Sequence, residues 1–356
     1  MKNFFTGGLV ALLGAALLSG CEKPPIDTVQ HGFRGTGMVQ VSNPRITSAL
    51  DAAQVLPTAI PAMPEGGPLA KNTFKNVQVL GDLTVGEFTR TMLAITAWVS
   101  PTQGCAYCHV TGDDLSIDKL YTKTVARKML QMTLHINKDW KSHVVATGVT
   151  CYTCHRGQPV PAKVWFTDPG PKQARGSTAD SAGQNMPSIE AALMATPYDP
   201  FTPFLLNDTA IRTQGTTALP TGNRQTIKQT EATYSLMAHI SKSLGVNCTF
   251  CHNSRSFAEW DQSPPQRTTA FHGIRMARDL NKAYMEPLTA TFPPERLGPL
   301  GDAPKVNCAT CHQGENKPLR GAPLLKDHPV LGATTVAAAN TVPAAVVAGV
   351  STAAPK

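Results

Sequence analysis

The chain has 356 residues, room for about two domains. Charged residues make up 16% of it, below the roughly 25% of typical domains, and aromatics only 6%; its 28 glycines and 29 prolines point to many loops around a core that its own side chains fill thinly. The formal net charge of +8 is scattered, without a Lys/Arg run, which excludes a nucleic-acid patch of the usual kind.

Residues 1–20 read as a signal peptide. Lys2 supplies the positive start and "FFTGGLVALLGAALL" the apolar run. The run ends in "LSGC", small residues ahead of a lone cysteine, the form of a bacterial lipoprotein cleavage site. The mature chain would begin at a lipidated Cys21, with several acyl chains needed for stable anchoring. An uncleaved membrane anchor is the alternative, but the run is short for a span of about 20 residues. No later segment reads as a span, so the remainder is expected outside the cytoplasm on a membrane surface.

Residues 21–80 are Pro-rich and read as extended. In 81–165, Phe88, Met92, Ile95 and Val99 share one helical face ahead of "CAYCH". A second helix over 116–140, with Leu120, Val125, Met129, Met132 and Ile136 clustered, leads through Gly148 to "CYTCH". Residues 166–222, rich in Pro, Gly, Thr and Ser, read as a linker that covers surface. In 223–325, "TIKQTEATYSLMAHISKSL" ends near Gly245 and precedes "CTFCH", and "PQRTTAFHGIRMARDLNKAYM" precedes "CATCH". The tail within 326–356 has low complexity beyond Leu331 and reads as disordered.

Nine cysteines are present: Cys21 and four pairs, Cys105/Cys108, Cys151/Cys154, Cys248/Cys251 and Cys308/Cys311. Disulfides, zinc and dithiol redox chemistry all use such pairs. None of them requires a histidine directly after every second cysteine, and all four pairs have one. Cys-x-x-Cys-His is the attachment motif of c-type haem: two thiols bond the porphyrin and the histidine ligates iron. The reading is four covalently bound haem c groups with proximal ligands His109, His155, His252 and His312.

The chain also repeats itself. Met92 falls on Met237 and Ile95 on Ile240 at an offset of 145; "HINKDW" falls on "DLNKAY" at 144; "CHRGQPVP" resembles "CHQGENKP". The fold class expected is therefore mainly α with long irregular segments, built as duplicated modules of helix, haem site, helix, haem site.

A filled sixth position on each iron suits electron transfer, and an open one suits catalysis; methionine there raises the potential relative to histidine. Met92 and Met237 hold matching places ahead of the first and third sites. Ahead of the second site Met129 and Met132 share a face, and the repeat aligns Met132 with Met276. His143 is a further candidate. His31, His135, His239, His272 and His328 read as surface or supporting residues.

These features together resemble one family, the tetrahaem cytochrome c subunit of the purple-bacterial photosynthetic reaction centre. The resemblance spans roughly residues 22–325 and includes all four motifs, the lipoprotein cysteine and "KSHVVATGVTCYTCHRG". It implies three Met/His haems and one His/His haem: Met92 with His109, Met129 with His155, Met237 with His252, and His143 with His312. It places Met276 in the core. It implies a lipid-anchored subunit on the periplasmic side of the photosynthetic membrane. There it would bind the reaction centre's membrane subunits, take electrons from a small cytochrome c or a high-potential iron–sulfur protein, and re-reduce the oxidised bacteriochlorophyll pair. A general periplasmic multihaem carrier serving a terminal reductase, and a haem reductase with an open iron, are the rival readings.

Overall fold

The computed structural model describes residues 25–31, 37–167, 186–189, 191–196, 199–211, 213 and 227–332. The signal segment, Cys21 and the tail beyond Gly332 lie outside these residues. The described chain is mainly helical, as expected, with two short two-stranded sheets: β1 (Asp27–Gln30) with β2 (Val39–Ser42), and β3 (Met186–Ser188) with β4 (Met194–Thr196). Among the described residues no helix is long and apolar enough to cross a membrane.

The N-terminal stretch is less extended than its prolines suggest. Helix α1 (Pro44–Ala52) starts where the Asn43 side chain accepts from the Arg45 N–H and Pro44 takes the first helical position, which needs no N–H. Helix α2 (Val85–Val99) is capped by the Thr84 hydroxyl, which accepts from Glu87 N–H. Helix α3 (Tyr121–Asp139) follows, then the single turns α4 (Lys141–Val144) and α5 (Cys151–His155). The second half supplies α6 (Ile227–Leu244), α7 (Gln266–Leu280) and α8 (Cys308–His312). α6 stops at Gly245, whose φ of +66 only glycine takes without strain.

Each half buries its own apolar cluster. Between α2 and α3 pack Ala94, Trp98, Leu130 and Leu134, closed by Val79 and by Leu331. Between α6 and α7 pack Leu236, Ile240, Ile274 and Ala277 with Trp165, Phe201, Phe204 and Leu205. Part of the stretch read as a surface-covering linker thus packs inward. Phe201, Phe204 and Leu205 are at most 2% exposed and form part of the second core. Their apolar side chains gain more from burial than the surrounding polar composition indicates.

The halves meet at α5 and α8. Arg156 Nη2 donates to the Cys311 carbonyl, and Gln313 Nε2 donates to the Cys154 carbonyl, each at 3.4 Å. Close backbone approach accompanies this contact: a Cβ on Gly245 would stand 2.2 Å from the Gly314 carbonyl oxygen. Nearby, His135 of α3 meets Asp279 of α7, Nε2 to Oδ2, at 2.6 Å.

Candidate functional site

The four Cys-x-x-Cys-His segments take two local forms. The first and third begin in tight 3₁₀ turns, Gly104–Tyr107 and Cys248–Phe250. The second and fourth are the α-turns α5 and α8. In these the hydroxyls of Thr153 and Thr310 accept from the N–H groups of Thr150 and Asn307, at 3.0 and 2.9 Å. Each α-turn ends in a left-handed residue, Arg156 (φ 51) or Gln313 (φ 50), and then a glycine. Those glycines donate to the first long helix of each half, Gly157 to Trp98 O on α2 and Gly314 to Ser243 O on α6, both at 2.8 Å. The bonds hold the second and fourth motifs against the helices that carry Met92 and Met237, the candidate methionines of the first and third sites.

Two buried asparagines brace the chain just ahead of the same two motifs. Asn137 donates to Val149 O (2.9 Å) and Leu331 O (3.0 Å), and its Oδ1 accepts from Val149 N–H (2.7 Å). Asn281 donates to Leu205 O (2.9 Å) and Val306 O (3.0 Å), and its Oδ1 accepts from Val306 N–H (2.8 Å). Val149 and Val306 each stand two residues before the first cysteine of a motif. The sequence reading did not single out these asparagines. The shared "NK" of "HINKDW" and "DLNKAY" was the signal.

The histidines sort by how their rings are used. In His109, His155, His252 and His312, Nδ1 bonds a backbone carbonyl a few residues on: Leu115, Gln158, Phe257 and Glu315, at 2.9 to 3.1 Å. In His143, Nδ1 bonds the Thr269 carbonyl of α7 at 2.9 Å. A carbonyl only accepts, so Nδ1 carries the proton in all five and Nε2 keeps its lone pair for a metal. Burial pushes His143, His155 and His252 below the usual histidine value, and His312 down to about 4. Those rings are therefore neutral at pH 7, the form that ligates. His135 differs: both its ring nitrogens face carboxylates, Asp139 at 2.8 Å and Asp279 at 2.6 Å. His31 bonds Gln40 through Nε2, and His239 bonds Ser243. His239 and His328 are each 4% exposed, which leaves the supporting role of the two offered to them.

His143 and His312 face one another across the two halves, ring centres 6.0 Å apart. Two imidazoles sharing one metal at about 2.0–2.1 Å each, with ring centres roughly 1 Å behind the nitrogen, would stand about 6 Å apart. The spacing fits an iron between them. Space for the His143 ring is made by Gly273 of α7, where a Cβ would come within 2.5 Å of Cε1 and 2.8 Å of Nδ1. Met92, Met129, Met132, Met237 and Met276 lie on α2, α3, α6 and α7, all half-buried. Burial alone does not separate Met129 from Met132.

Cys105 and Cys248 are exposed; Cys108, Cys151, Cys251 and Cys308 are half-buried, and all six are free thiols. Burial raises Cys108, takes Cys151 and Cys251 up to about 11, and takes Cys308 up to about 12. Such groups are thiols at pH 7, the form that adds to a vinyl group. Among the described residues, no three His, Cys, Asp or Glu side chains stand together as a metal cluster. At Cys154 and Cys311 the structure departs from the sequence reading. The back-to-back packing of α5 and α8 brings their Cα atoms to 4.5 Å, and the two sulfurs form a disulfide. A sulfur in a disulfide carries no thioether, so this bond and haem attachment at these two positions exclude one another.

The profile of the family described as "Photosynthetic reaction centre cytochrome C subunit" matches residues 22–332. The chain is 54% identical to the photosynthetic reaction center cytochrome c subunit of Rubrivivax gelatinosus over 93% of its length and 90% of the relative's. It is 50% identical to the subunit of the same name from Thermochromatium tepidum, over 92% and 80%. The corresponding subunit of Roseobacter denitrificans is 41% identical over 91% of each chain. The motifs, the His143–His312 pair and these similarities agree: the chain belongs to the photosynthetic reaction centre cytochrome c subunit family.

Proposed function

We propose that the chain holds four covalently attached haem c groups and ligates them as three Met/His pairs and one His/His pair. As a reaction centre cytochrome c subunit it is an electron-transfer protein rather than an enzyme, and it donates electrons to the reaction centre. Bound haem supplies the one-electron couple. The chain's residues fix where each couple sits and how easily it is reduced.

Cys105, Cys108, Cys151, Cys154, Cys248, Cys251, Cys308 and Cys311 attach the groups, with Cys154 and Cys311 entering as the reduced pair. His109, His155, His252 and His312 ligate from one side, each with its tautomer set by a backbone carbonyl. Met92, Met129, Met237 and His143 ligate from the other. The observation that carries this reading is the His143–His312 pair. Two neutral imidazoles from different halves, both with Nδ1 occupied, stand one metal apart.

Duplication of a two-site module is part of the proposal. It is supported by equivalent bonds at equivalent positions: Gly157 to Trp98 beside Gly314 to Ser243, Asn137 beside Asn281, and the reciprocal Arg156 and Gln313 bonds. The modules fall at about 81–165 and 223–325. A lipid anchor on Cys21, a place on the periplasmic face of the photosynthetic membrane, and a small cytochrome c or high-potential iron–sulfur protein as donor complete the reading.

The haem-to-chain ratio of the purified full-length protein, measured as the pyridine haemochromogen, tests it. Four per chain is expected, and a value of two or three would overturn it.

A further inference from the structure

The half-to-half offset of 144 that aligns Asn137 with Asn281 also aligns Met129 with Gly273. The two helices share a burial register that holds this alignment in place: Leu130 and Ile274, Thr133 and Ala277, Ile136 and Leu280 are buried in matching pairs. The position that carries a methionine on α3 therefore carries no side chain on α7. That missing side chain is where the His143 ring lies, within 2.5 to 3.1 Å of the place a Cβ would take. A carbon approaching a ring atom at 2.5 Å overlaps it, and the neighbouring atoms here belong to a rigid imidazole already bonded to Thr269 O.

We infer that Gly273 decides which side chain completes the fourth site: by having no side chain, it admits His143 from the other half where the matching residue, Met129, serves its own half. The inference rests on the proposed ligand set and deepens it. Gly273 supplies no ligand of its own and acts through His143, so it is a positioning residue. The same alignment favours Met129 over Met132 at the second site. Gly273 faces the ligand held opposite His312, and Met129 is its counterpart opposite His155; Met132 has Met276 as counterpart, one turn along from Gly273.

The test uses the full-length protein in membranes, read by redox titration, by the low-spin ferric signals of the individual haems, and by carbon monoxide binding to the reduced form. Gly273→Ala is expected to remove the bis-imidazole signal from one haem in four and to open that haem to carbon monoxide. Gly273→Met is expected to remove the same signal, keep the haem closed, and move one component of the titration to higher potential. Retention of the bis-imidazole signal in both variants would overturn the inference.

His143→Ala separates it from the ligand reading beneath it. If that variant keeps the signal, His143 is not the ligand and the ligand set fails; if it loses the signal while Gly273→Ala keeps it, only the role of Gly273 fails. Should Gly273→Ala not accumulate, the double variant His143→Ala/Gly273→Ala decides. With the ring gone the methyl has room, so accumulation returns under the inference, and continued absence sinks it.

Discussion

Asn137 makes three hydrogen bonds at 3% exposure, which sets what its loss costs. Asn137→Ala leaves Val149 with both backbone groups unpaired and Leu331 O without its donor, so a loss of about 2–3 kcal/mol is expected. Chemical denaturation of the holoprotein measures it, and a loss below about 0.5 kcal/mol would make the brace incidental. The equivalent change at Asn281 should cost a similar amount. Met129 and Met132 separate by a different readout. Met129→Leu should lower one high potential and let carbon monoxide bind, while Met132→Leu should leave every component of a redox titration in place. The proposed attachment residues stand out in the sequence because haem chemistry needs contiguous residues of fixed type. The asparagines were not: a polar residue late in a helix reads as surface until the segment it clamps is known.

At the scale of elements, long amphipathic helices were readable from periodicity, and their ends from glycines and caps. Helix α1 was missed although Asn43 and Pro44 spell a start, because its apolar face is short and the surrounding prolines dominated. The Phe201–Leu206 stretch was missed because its length gives no helical period, only a few apolar residues in a polar region. Gly245 shows why a glycine can matter beyond ending a helix. Gly245→Ala forces a positive φ on alanine and drives its methyl against the Gly314 carbonyl. A loss of more than about 1 kcal/mol is expected, with weakened packing of α6 on α8, and urea unfolding checks it. The α5–α8 contact carries a chemical expectation as well. Apoprotein held under oxidising conditions should yield a peptide cross-linked between Cys154 and Cys311, and holoprotein should yield none. Mass spectrometry of a non-reduced digest distinguishes the two.

Across the whole molecule, the halves are also joined by the His135 cluster. Its ring meets Asp279 and Asp139, stacks beside Tyr284 at 5.4 Å, and lies near Trp140, whose Nε1 donates to Asp279. Lys128 stands over the same Tyr284 ring. The hydrogen bond to Asp279 is the largest influence on His135 and raises its pKa above the ordinary value; burial opposes it. A raised folded-state value means that the protonated ring stabilises the fold. That contribution is fully present below about pH 6.5 and is lost as pH rises through the higher folded value. His135→Gln should therefore cost about 1 kcal/mol in acid and little in alkali. Melting curves of both proteins across that range provide the check, and a pH-independent gap would assign the cluster a packing role only. The proposed duplication of the two halves rests on a repeat that was visible in the sequence. Its contact surface was not, because the groups that make it, Arg156, Gln313, His135 and Asp279, pair with residues more than a hundred positions away.

The crossed bonds from Arg156 and Gln313 have a consequence for order. They place the second and fourth motifs side by side, while the helix contacts seat the second motif on α2 and the fourth on α6. With haems at all four motifs, as proposed, the row would cross between the halves at the second and fourth motifs, its central stations, and so would not follow chain order. Cutting the chain between its halves would leave two fragments that each hold one terminus of the row and one of its two central stations, severing the conductor at its midpoint.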